Sequence, residues 1–338
     1  MRHSTAILSG TPVRLSDLRF PAAQVVICRT RLPYIHLDNL LNFAKIDRDG
    51  RVDAFLTAYL PDEVAIIFFQ RGQAVNAVAL TPRQRSAITI ADALRLMRKE
   101  AERSELMFCE APIELLVWMY HAGVAPIQPV LVDQKAPARL FETLQRDRFS
   151  GVLEFLVDGR VNYVRLTDGR FSSGYFADKP DDIPVAAWIE QLLKPHADGS
   201  RPAVAAGVFQ PGAALPEQAS AALLEAAREV FWRLVEHAER ETPHDGLKRA
   251  LRLRDTVAAS HPQLANVSIP RDQPLPTAVM TPEDVTAGLA VWSRQLLEQL
   301  EVVAPGAAPD ILKGATKDHR FLLQRAGFYE RLPWTVSW

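Results

Sequence analysis

The sequence predicts an α+β protein: two tandem antiparallel-meander-plus-helix units followed by an all-α helical bundle domain. Three observations predict this fold class. Helix and strand patterns between residues 37 and 110 return in the same order between residues 137 and 210. Glycine turns stand at corresponding places in both stretches, at residues 70–73 and 167–170. After about residue 212, long amphipathic segments replace the turns, so the predicted domains are residues 1–125, 126–212 and 213–338.

The second unit has the clearer pattern. Its apolar strand runs into Asp158-Gly159, which supplies the positive φ angles of a two-residue hairpin turn, and Asp168-Gly169 turns the chain again. The predicted elements are a helix at 137–144, strands at 152–157, 160–166 and 171–176, a helix at 184–193 and a strand at 203–210. The two helices carry the side chains expected to cover one face of this sheet, namely Leu140, Phe141, Leu144, Trp188, Ile189 and Leu192.

The first unit repeats this order with a longer first hairpin. Its predicted elements are a helix at 37–45, strands at 52–59, 64–69 and 74–80, a helix at 90–102 and a strand at 105–110. Pro61 in the first connection suits a turn because proline cannot donate to a strand ladder. Residues 24–28 add a strand, and a helix at 112–121, closed by Gly123, leads into the second unit.

The last third of the chain predicts four helices. Residues 217–239 place apolar side chains at the three- and four-residue spacing of a packed helix. Asp245 is expected to cap a second helix that ends near Ala259. Thr281-Pro282-Glu283-Asp284 is a strong helix start, because it joins a capping hydroxyl to an early proline and two acids. A fourth helix is expected at 309–326, and four such helices favour a bundle.

Composition excludes several classes of protein. The 338 residues are 48% apolar and 23% charged, with a formal charge of −1, so no net charge attracts nucleic acid or anionic lipid. Residues 1–4 do not open an apolar signal-peptide stretch, and no run of apolar residues is long enough for a membrane span. Cys28 and Cys109 both lie in apolar runs and are interpreted as buried, reduced thiols. We therefore predict a cytoplasmic protein without a membrane partner, and the composition disfavours nucleic acid as a partner.

Two motifs of the second unit carry a resemblance to a known family. Ser150-Gly151-Val152-Leu153 opens a strand after a helix, and Asp168-Gly169-Arg170 precedes a strand that ends at Ala177. This arrangement resembles the PATAN-type domain of bacterial signalling proteins, with residues 137–210 the better match and the first unit a weaker one. The resemblance implies a non-enzymatic role in protein–protein interaction, often beside response-regulator receivers or GTPase regulators, and it carries over no catalytic residues.

Motifs for catalysis, cofactors and metals are missing from the sequence. His237 and His244 lie seven residues apart without the closely paired ligands of a zinc site. No nucleophile elbow, Walker loop or dinucleotide fingerprint occurs. We therefore predict no catalytic residue, no cofactor and no metal ligand.

Two charged clusters each allow two interpretations. Asp178, Asp181 and Asp182 could hold a cation, but acids ahead of Pro184 are better explained as charges at a helix start. A basic segment could contact phosphate or an acidic partner, although a solvated helix face is favoured because no aromatic residues are interleaved with it. Its members are Lys248, Arg249, Arg252 and Arg254.

The C-terminal tail is rich in aromatic side chains. Phe328, Tyr329, Trp334 and Trp338 follow the last predicted helix. Either they close the core of the bundle, which is favoured because chain ends fray unless large side chains dock them, or they anchor a partner protein.

The sequence supports two hypotheses about function. The first is a cytoplasmic bacterial signalling adaptor that binds a protein partner, in which sheet edges and hairpin turns are docking surfaces and the helical domain forms a homodimer or binds a second partner. The alternative is a small-molecule sensor whose pocket lies between a meander and its helices, around Tyr163, Arg165 and Tyr175.

Overall fold

The structure is a computed structural model that describes residues 13–46, 52–124, 127–275 and 278–338. The chain divides into two compact units, residues 1–216 and 217–338. The first unit contains two antiparallel sheets with their helices, and the second is helical. The predicted lack of a signal peptide rests on residues 1–4, and one predicted domain boundary falls at residues 125 and 126; both lie outside the described residues.

The first module forms a six-stranded antiparallel sheet. Its elements are β1 (Gln24–Arg31), α1 (Leu37–Ile46), β2 (Ala54–Tyr59), β3 (Val64–Gln70), β4 (Gln73–Leu80), β5 (Arg85–Ile88), α2 (Ile90–Lys99) and β6 (Glu105–Glu110). The strand order is β1-β6-β2-β3-β4-β5, so the last strand inserts between the first two. The tight turn between β3 and β4 is formed by Arg71 and Gly72, both at positive φ.

The chain then forms α3 (Ile113–Val124) and a second module. The elements of the module are β7 (Gln128–Val130), α4 (Arg139–Arg146), β8 (Gly151–Val157), β9 (Arg160–Thr167), β10 (Arg170–Phe176), α5 (Val185–Leu193) and β11 (Val204–Phe209). Its strand order, β10-β9-β8-β11-β7, repeats the order β4-β3-β2-β6-β1 of the first sheet. The predicted tandem repeat is therefore confirmed, and β5 is the strand without a counterpart among the described residues.

Each sheet buries both of its faces. The outer face of the first sheet packs against α1 and α2, and the outer face of the second packs against α4 and α5, as predicted from Leu140, Leu144, Trp188 and Leu192. The two inner faces share a central core with α3. This helix is apolar on nearly all sides, and eight of its twelve residues are buried. The sequence predicted a cover for one face of the second sheet only, and α3 covers the inner faces of both sheets.

The segment before β1 ties the first module to the second sheet. Leu18 and Phe20 are buried in the central core. The Arg19 amide donates to the Gly159 carbonyl at 2.8 Å, and the Val161 amide donates to the Arg19 carbonyl at 2.9 Å. Gly159 has φ +84°, and a Cβ atom there would lie 2.5 Å from the Asp17 carbonyl oxygen. Glycine is therefore required at this turn both by its backbone angle and by the close passage of the chain.

One of the two cysteine predictions is wrong. Cys109 on β6 is buried as expected, but Cys28 on β1 is exposed. The apolar run around Cys28 suggested a core strand, whereas β1 lies at the edge of its sheet and its register with β6 shifts twice. Such irregularities turn side chains of an edge strand toward solvent.

The second unit is a helical bundle with one continuous core. Its helices are α6 (Ala221–Glu241), α7 (Gly246–Ala258), α8 (Leu264–Val267), α9 (Pro282–Leu300), α10 (Ala308–Thr316) and α11 (Arg320–Arg325). Phe231 stacks on Trp292 with 4.2 Å between ring centroids, and the Trp292 indole donates to the Ala250 carbonyl at 3.1 Å. Within the described residues, no helix has the length and apolarity that crossing a membrane requires.

The helices differ from the prediction at several places: α6 begins at Ala221 instead of residue 217, and α8 was not predicted. Thr281 and Asp284 form the expected capping box, but Asp245 makes no capping bond at the start of α7. Its carboxylate pairs with Arg249, and Glu239 accepts the amides of His244 and Leu247 instead. The helix predicted at 309–326 is interrupted by a 3₁₀ turn at residues 317–319, which separates α10 from α11.

Candidate functional site

The three residues of the predicted ligand pocket lie on the inner face of the second sheet, but they divide into two groups. Tyr163 is buried in the central core. The Tyr175 hydroxyl donates to the Glu114 carboxylate at 3.0 Å, and Arg165 donates to the same carboxylate at 3.3 Å. Both contacts lie at the start of α3, where the side chains are partly exposed. Tyr163 therefore lies deep in the core, whereas Arg165 and Tyr175 surround Glu114 near the protein surface.

A buried ion pair connects the two sheets behind Tyr163. The Arg85 guanidinium on β5 donates twice to the Glu154 carboxylate on β8, at 2.6 and 2.8 Å. It also donates to the Ala122 carbonyl of α3 at 3.3 Å. The side chains of Arg85 and Glu154 are only 4% and 1% exposed. This two-point geometry is the strongest form of arginine–carboxylate contact, and here it joins three elements of the first unit.

Sequence reasoning missed this pair, although one signal was present. Glu154 is the single charged residue within the apolar strand β8, and a buried acid in such a strand requires a partner. Nothing local identifies that partner, because Arg85 lies 69 residues earlier in the chain.

The environment of the pair fixes the protonation of its neighbours. Burial raises the pKa of Tyr163 well above its ordinary value, and the charge of Glu154 and a hydrogen bond to it act in the same direction. Burial alone would lower the pKa of Arg85, but Glu154 raises it above its ordinary value. At the rim, burial raises the pKa of Tyr175 to about 12, and its bond to Glu114 also raises it. Arg85 therefore stays charged while both tyrosines stay protonated.

The first module has Thr57 at the place of Glu154. Thr57 pairs with Met107 on β6, and Glu154 pairs with Gly207 on β11. Met107 and Gly207 occupy equivalent positions in the two modules. With this alignment Cys109 and Phe209 both face the central core, and Phe108 and Val208 both face the outer helices. The Thr57 hydroxyl is buried and has no hydrogen-bond partner among the described residues. The duplicated position thus carries a charge in one module and an unpaired hydroxyl in the other.

A Thr57→Val variant is expected to raise the free energy of unfolding by about 1 kcal/mol, because it removes a buried hydroxyl that makes no bond. Urea denaturation measures the change. Thr286→Val is the matched control, since the buried Thr286 hydroxyl donates to the Pro282 carbonyl at 2.9 Å, and it is expected to lose about 1 kcal/mol. A loss at Thr57 as large as the loss at Thr286 would contradict this interpretation.

The acidic cluster after β10 separates into one paired and two unpaired members. Asp178 binds Arg19 at 2.7 Å and Arg160 at 3.2 Å. Asp181 and Asp182 are exposed and make no ion pair with a described residue. Within the described residues, no three histidine, cysteine or acidic side chains lie close enough together to hold a metal ion.

The basic segment predicted at residues 248–254 lies on α7. Arg249 pairs with Asp245 at 2.8 Å and Arg254 with Asp255 at 2.6 Å. Two of its four cations are therefore held by neighbouring acids of the same helix region. This arrangement is typical of a solvated helix face.

The aromatic tail is partly core and partly surface. Phe328 is fully buried in the bundle, and Tyr329 and Trp334 pack against the same core. Trp338 is 46% exposed and forms a T-shaped pair with Tyr329, with 5.9 Å between ring centroids. Phe328 is therefore committed to packing, whereas nearly half of Trp338 is exposed to solvent.

Trp338 belongs to an exposed cluster that sequence reasoning missed in part. The Arg320 guanidinium lies 4.2 Å from the ring centroid of Phe321 and 5.6 Å from that of Trp338. Phe321 is 71% exposed, and no described carboxylate pairs with Arg320. We call Arg320, Phe321, Tyr329 and Trp338 the aromatic–arginine patch. The sequence held one signal for this patch. Phe321 is a large apolar residue directly after a cation, Arg320, in the first turn of a helix.

The helical unit also has an open cleft of about 420 Å³ beside α6 and α10. Side chains of both charges line it, including Arg233, Arg240, Glu241 and Asp310, together with small apolar residues. Burial lowers the pKa of His237, which also lines the cleft. The lining thus holds two arginines, one histidine and three acids, Glu236, Glu241 and Asp310.

Comparison with known proteins gives no assignment: no protein-family model, curated protein or solved structure matches this chain.

Proposed function

We propose that this chain is a non-enzymatic bacterial signalling adaptor that acts in the cytoplasm by binding a protein partner. The PATAN-type resemblance of the second module supports a signalling role, and the repeated module supports a scaffold. The partner site in this proposal is the aromatic–arginine patch of the helical unit. That patch is the observation that carries the proposal.

The composition of the patch is that of a protein-binding hot spot. Tryptophan, tyrosine and arginine contribute most of the affinity in protein interfaces, because their large side chains bury much area at a small entropic cost. Here Phe321 and Trp338 are exposed, and Arg320 lies over both rings. Arg320 lies against aromatic rings and forms no ion pair with a described carboxylate. Its charge can therefore still bind an acidic side chain of a partner protein. The partner is therefore expected to present an acidic side chain beside apolar ones.

The buried polar groups of the first unit support a structural role for its interior. Arg85 donates two hydrogen bonds to Glu154, and Tyr163 is hydrogen-bonded to Glu154. Groups that are engaged in this way stabilise the packing of two sheets. In this proposal the first unit serves as a rigid scaffold, and recognition takes place on surfaces.

The test is quantitative capture from the source cell with the full chain as bait, followed by titration with the purified partner. Trp338→Ala and Phe321→Ala are each expected to weaken binding by about tenfold or more, since hot-spot truncations cost about 2 kcal/mol. Tyr34→Ala is the matched control, because Tyr34 is an aromatic residue of the first unit that is 78% exposed. It is expected to bind as tightly as the unchanged chain.

Two results would contradict the adaptor function. One is the absence of any partner that binds the purified chain. The other is binding that both patch variants leave unchanged.

The sensor alternative stays a prediction at Tyr163, Arg165 and Tyr175, whose polar groups are engaged by Glu154 and Glu114. A metabolite that raises the melting temperature of the unchanged chain but not that of Arg165→Ala would support it.

A further inference from the structure

The cleft of about 420 Å³ in the helical unit lies between α6 and α10. Side chains of α6 form one of its walls, and the other wall consists mainly of small residues of α10 and of the loop before it. These small residues are Ala304, Ala307, Gly314 and Ala315. A Cβ atom added at Gly314 would meet no atom within 4 Å, so the space beside this helix is unfilled. The volume of the cleft is typical of a small-molecule site.

The contacts of Arg233 define the relative directions of the two helices. Its guanidinium donates to the Ala315 carbonyl at 3.4 Å and pairs with Asp318 at 2.7 Å, so this part of α6 lies beside the end of α10. Arg240 and Glu241, at the end of α6, line the same cleft as Asp310 in the first turn of α10. The two helices are therefore antiparallel, and these three charged side chains gather at one end of the cleft.

The ions at the Arg233 end of the cleft are held by one another. Arg233 pairs with Glu229 and Asp318, and Arg271 pairs with Glu229 and Glu236. These two guanidinium groups and three carboxylates form one network, with one negative charge in excess. This end of the cleft therefore offers no free cation to a ligand.

The charges at the opposite end lack such partners. Arg240 donates to the Glu236 carbonyl and contacts the His237 ring, both at 3.4 Å, and it pairs with no described carboxylate. Asp310 makes no ion pair with a described residue, and Glu241 lies 3.7 Å from the His237 ring. Burial lowers the pKa of His237, so this ring is uncharged near pH 7. One guanidinium and two carboxylates are therefore available to a ligand here.

These three groups and the wall beside them define the chemistry of the ligand. A guanidinium binds a carboxylate through two parallel hydrogen bonds, so Arg240 fits a carboxylate. An ammonium group has three donors and can therefore bind Asp310 and Glu241 together. A carboxylate and an ammonium group on one carbon atom form the head group of an α-amino acid. Beyond this end the wall continues with Ile311 and Ala315, which favour an apolar side chain.

We propose that this cleft binds a free α-amino acid with an apolar side chain. The carboxylate of the ligand lies at Arg240, its ammonium group between Asp310 and Glu241, and its side chain along Ile311 toward Gly314. The negative excess of the Arg233 network disfavours an acidic side chain at the far end. The proposal does not depend on the adaptor function, which uses the aromatic–arginine patch.

Isothermal titration calorimetry of the full chain with L-leucine and with L-phenylalanine tests the proposal. At least one of these probes is expected to bind with a dissociation constant between about 0.01 and 1 mM. The N-acetyl derivative of that amino acid lacks the ammonium charge, and the corresponding amine lacks the carboxylate. Each of these two compounds is expected to bind about tenfold more weakly or worse, because one charged contact is lost.

Substitutions in the cleft provide the second part of the test. Arg240→Gln and Asp310→Asn are each expected to weaken binding by about tenfold or more. Gly314→Leu is expected to weaken it as much by filling the cleft, and it should not unfold the chain because leucine favours a helix more than glycine does. Arg252→Gln is the matched control, since Arg252 is an exposed arginine of α7 that does not line the cleft. It is expected to leave binding unchanged.

Three results would overturn the proposal. The first is no binding of either amino acid at concentrations up to about 10 mM, by calorimetry or by a shift in melting temperature. The second is binding that Arg240→Gln and Asp310→Asn leave unchanged. The third is an N-acetyl derivative or an amine that binds as tightly as the amino acid, because the cleft would then not recognise the head group.

Discussion

Replacing Glu154 with leucine is expected to lower the free energy of unfolding by about 3–5 kcal/mol, because it leaves the Arg85 guanidinium buried without its counter-charge. The variant also removes the acceptor of the Tyr163 hydroxyl. Urea denaturation followed by circular dichroism measures the loss. Arg85→Met is expected to lose a similar amount, since it leaves the carboxylate unpaired in the same surroundings.

Glu114→Leu is the matched control for this result. Glu114 also pairs with an arginine, Arg165, at 3.3 Å, but both side chains are more than a third exposed. Water screens such a pair, so the loss is expected to be about 1 kcal/mol or less. Equal losses at Glu114 and Glu154 would show that the interior pair is not withdrawn from solvent.

Trp118→Ala is expected to lower the free energy of unfolding by about 3–5 kcal/mol. Trp118 is 1% exposed in the middle of α3, and its ring forms a T-shaped pair with Tyr175 with 5.2 Å between centroids. Its removal leaves a cavity between two sheets that cannot close without moving a whole element. Urea denaturation measures this loss.

Ile113→Ala on the same helix is the control, because Ile113 is exposed at its first turn. It is expected to lose less than about 1 kcal/mol. If Trp118→Ala lost no more than the control, α3 would not lie between the two sheets as the structure places it.

The repeat was predictable because its turns are encoded locally. Asp158-Gly159 and Asp168-Gly169 adopt the positive φ angles of two-residue hairpins, as their residue types predict. Alternation along β9 correctly placed Tyr163 and Arg165 on one face. The order of helices and strands follows from these turns and from the spacing of apolar residues.

What the sequence could not provide depends on contacts between distant segments. Glu154 is recognisable as an acid in an apolar strand, but its partner Arg85 is identified only by the packing of one sheet against the other. The strand β5 was missed because it is four residues long and contains that arginine. Cys28 was misplaced because local apolarity does not distinguish an edge strand from a central one.

The candidate binding surfaces show the same limit. Phe328, Tyr329, Trp334 and Trp338 form an aromatic set in the sequence, yet only the fold separates the buried Phe328 from the exposed Trp338. The contribution of Arg320 and Phe321 depends on the tail returning to α11.

The most direct test of the enclosed two-sheet arrangement is a double-mutant cycle between Arg85 and Glu154. The chain with both Arg85→Met and Glu154→Leu is expected to be more stable than either single variant, because no buried charge remains unpaired, with a coupling energy of about 3 kcal/mol. Losses that simply add in the double variant would mean that the two side chains do not meet, and would contradict the packing of the two modules around α3.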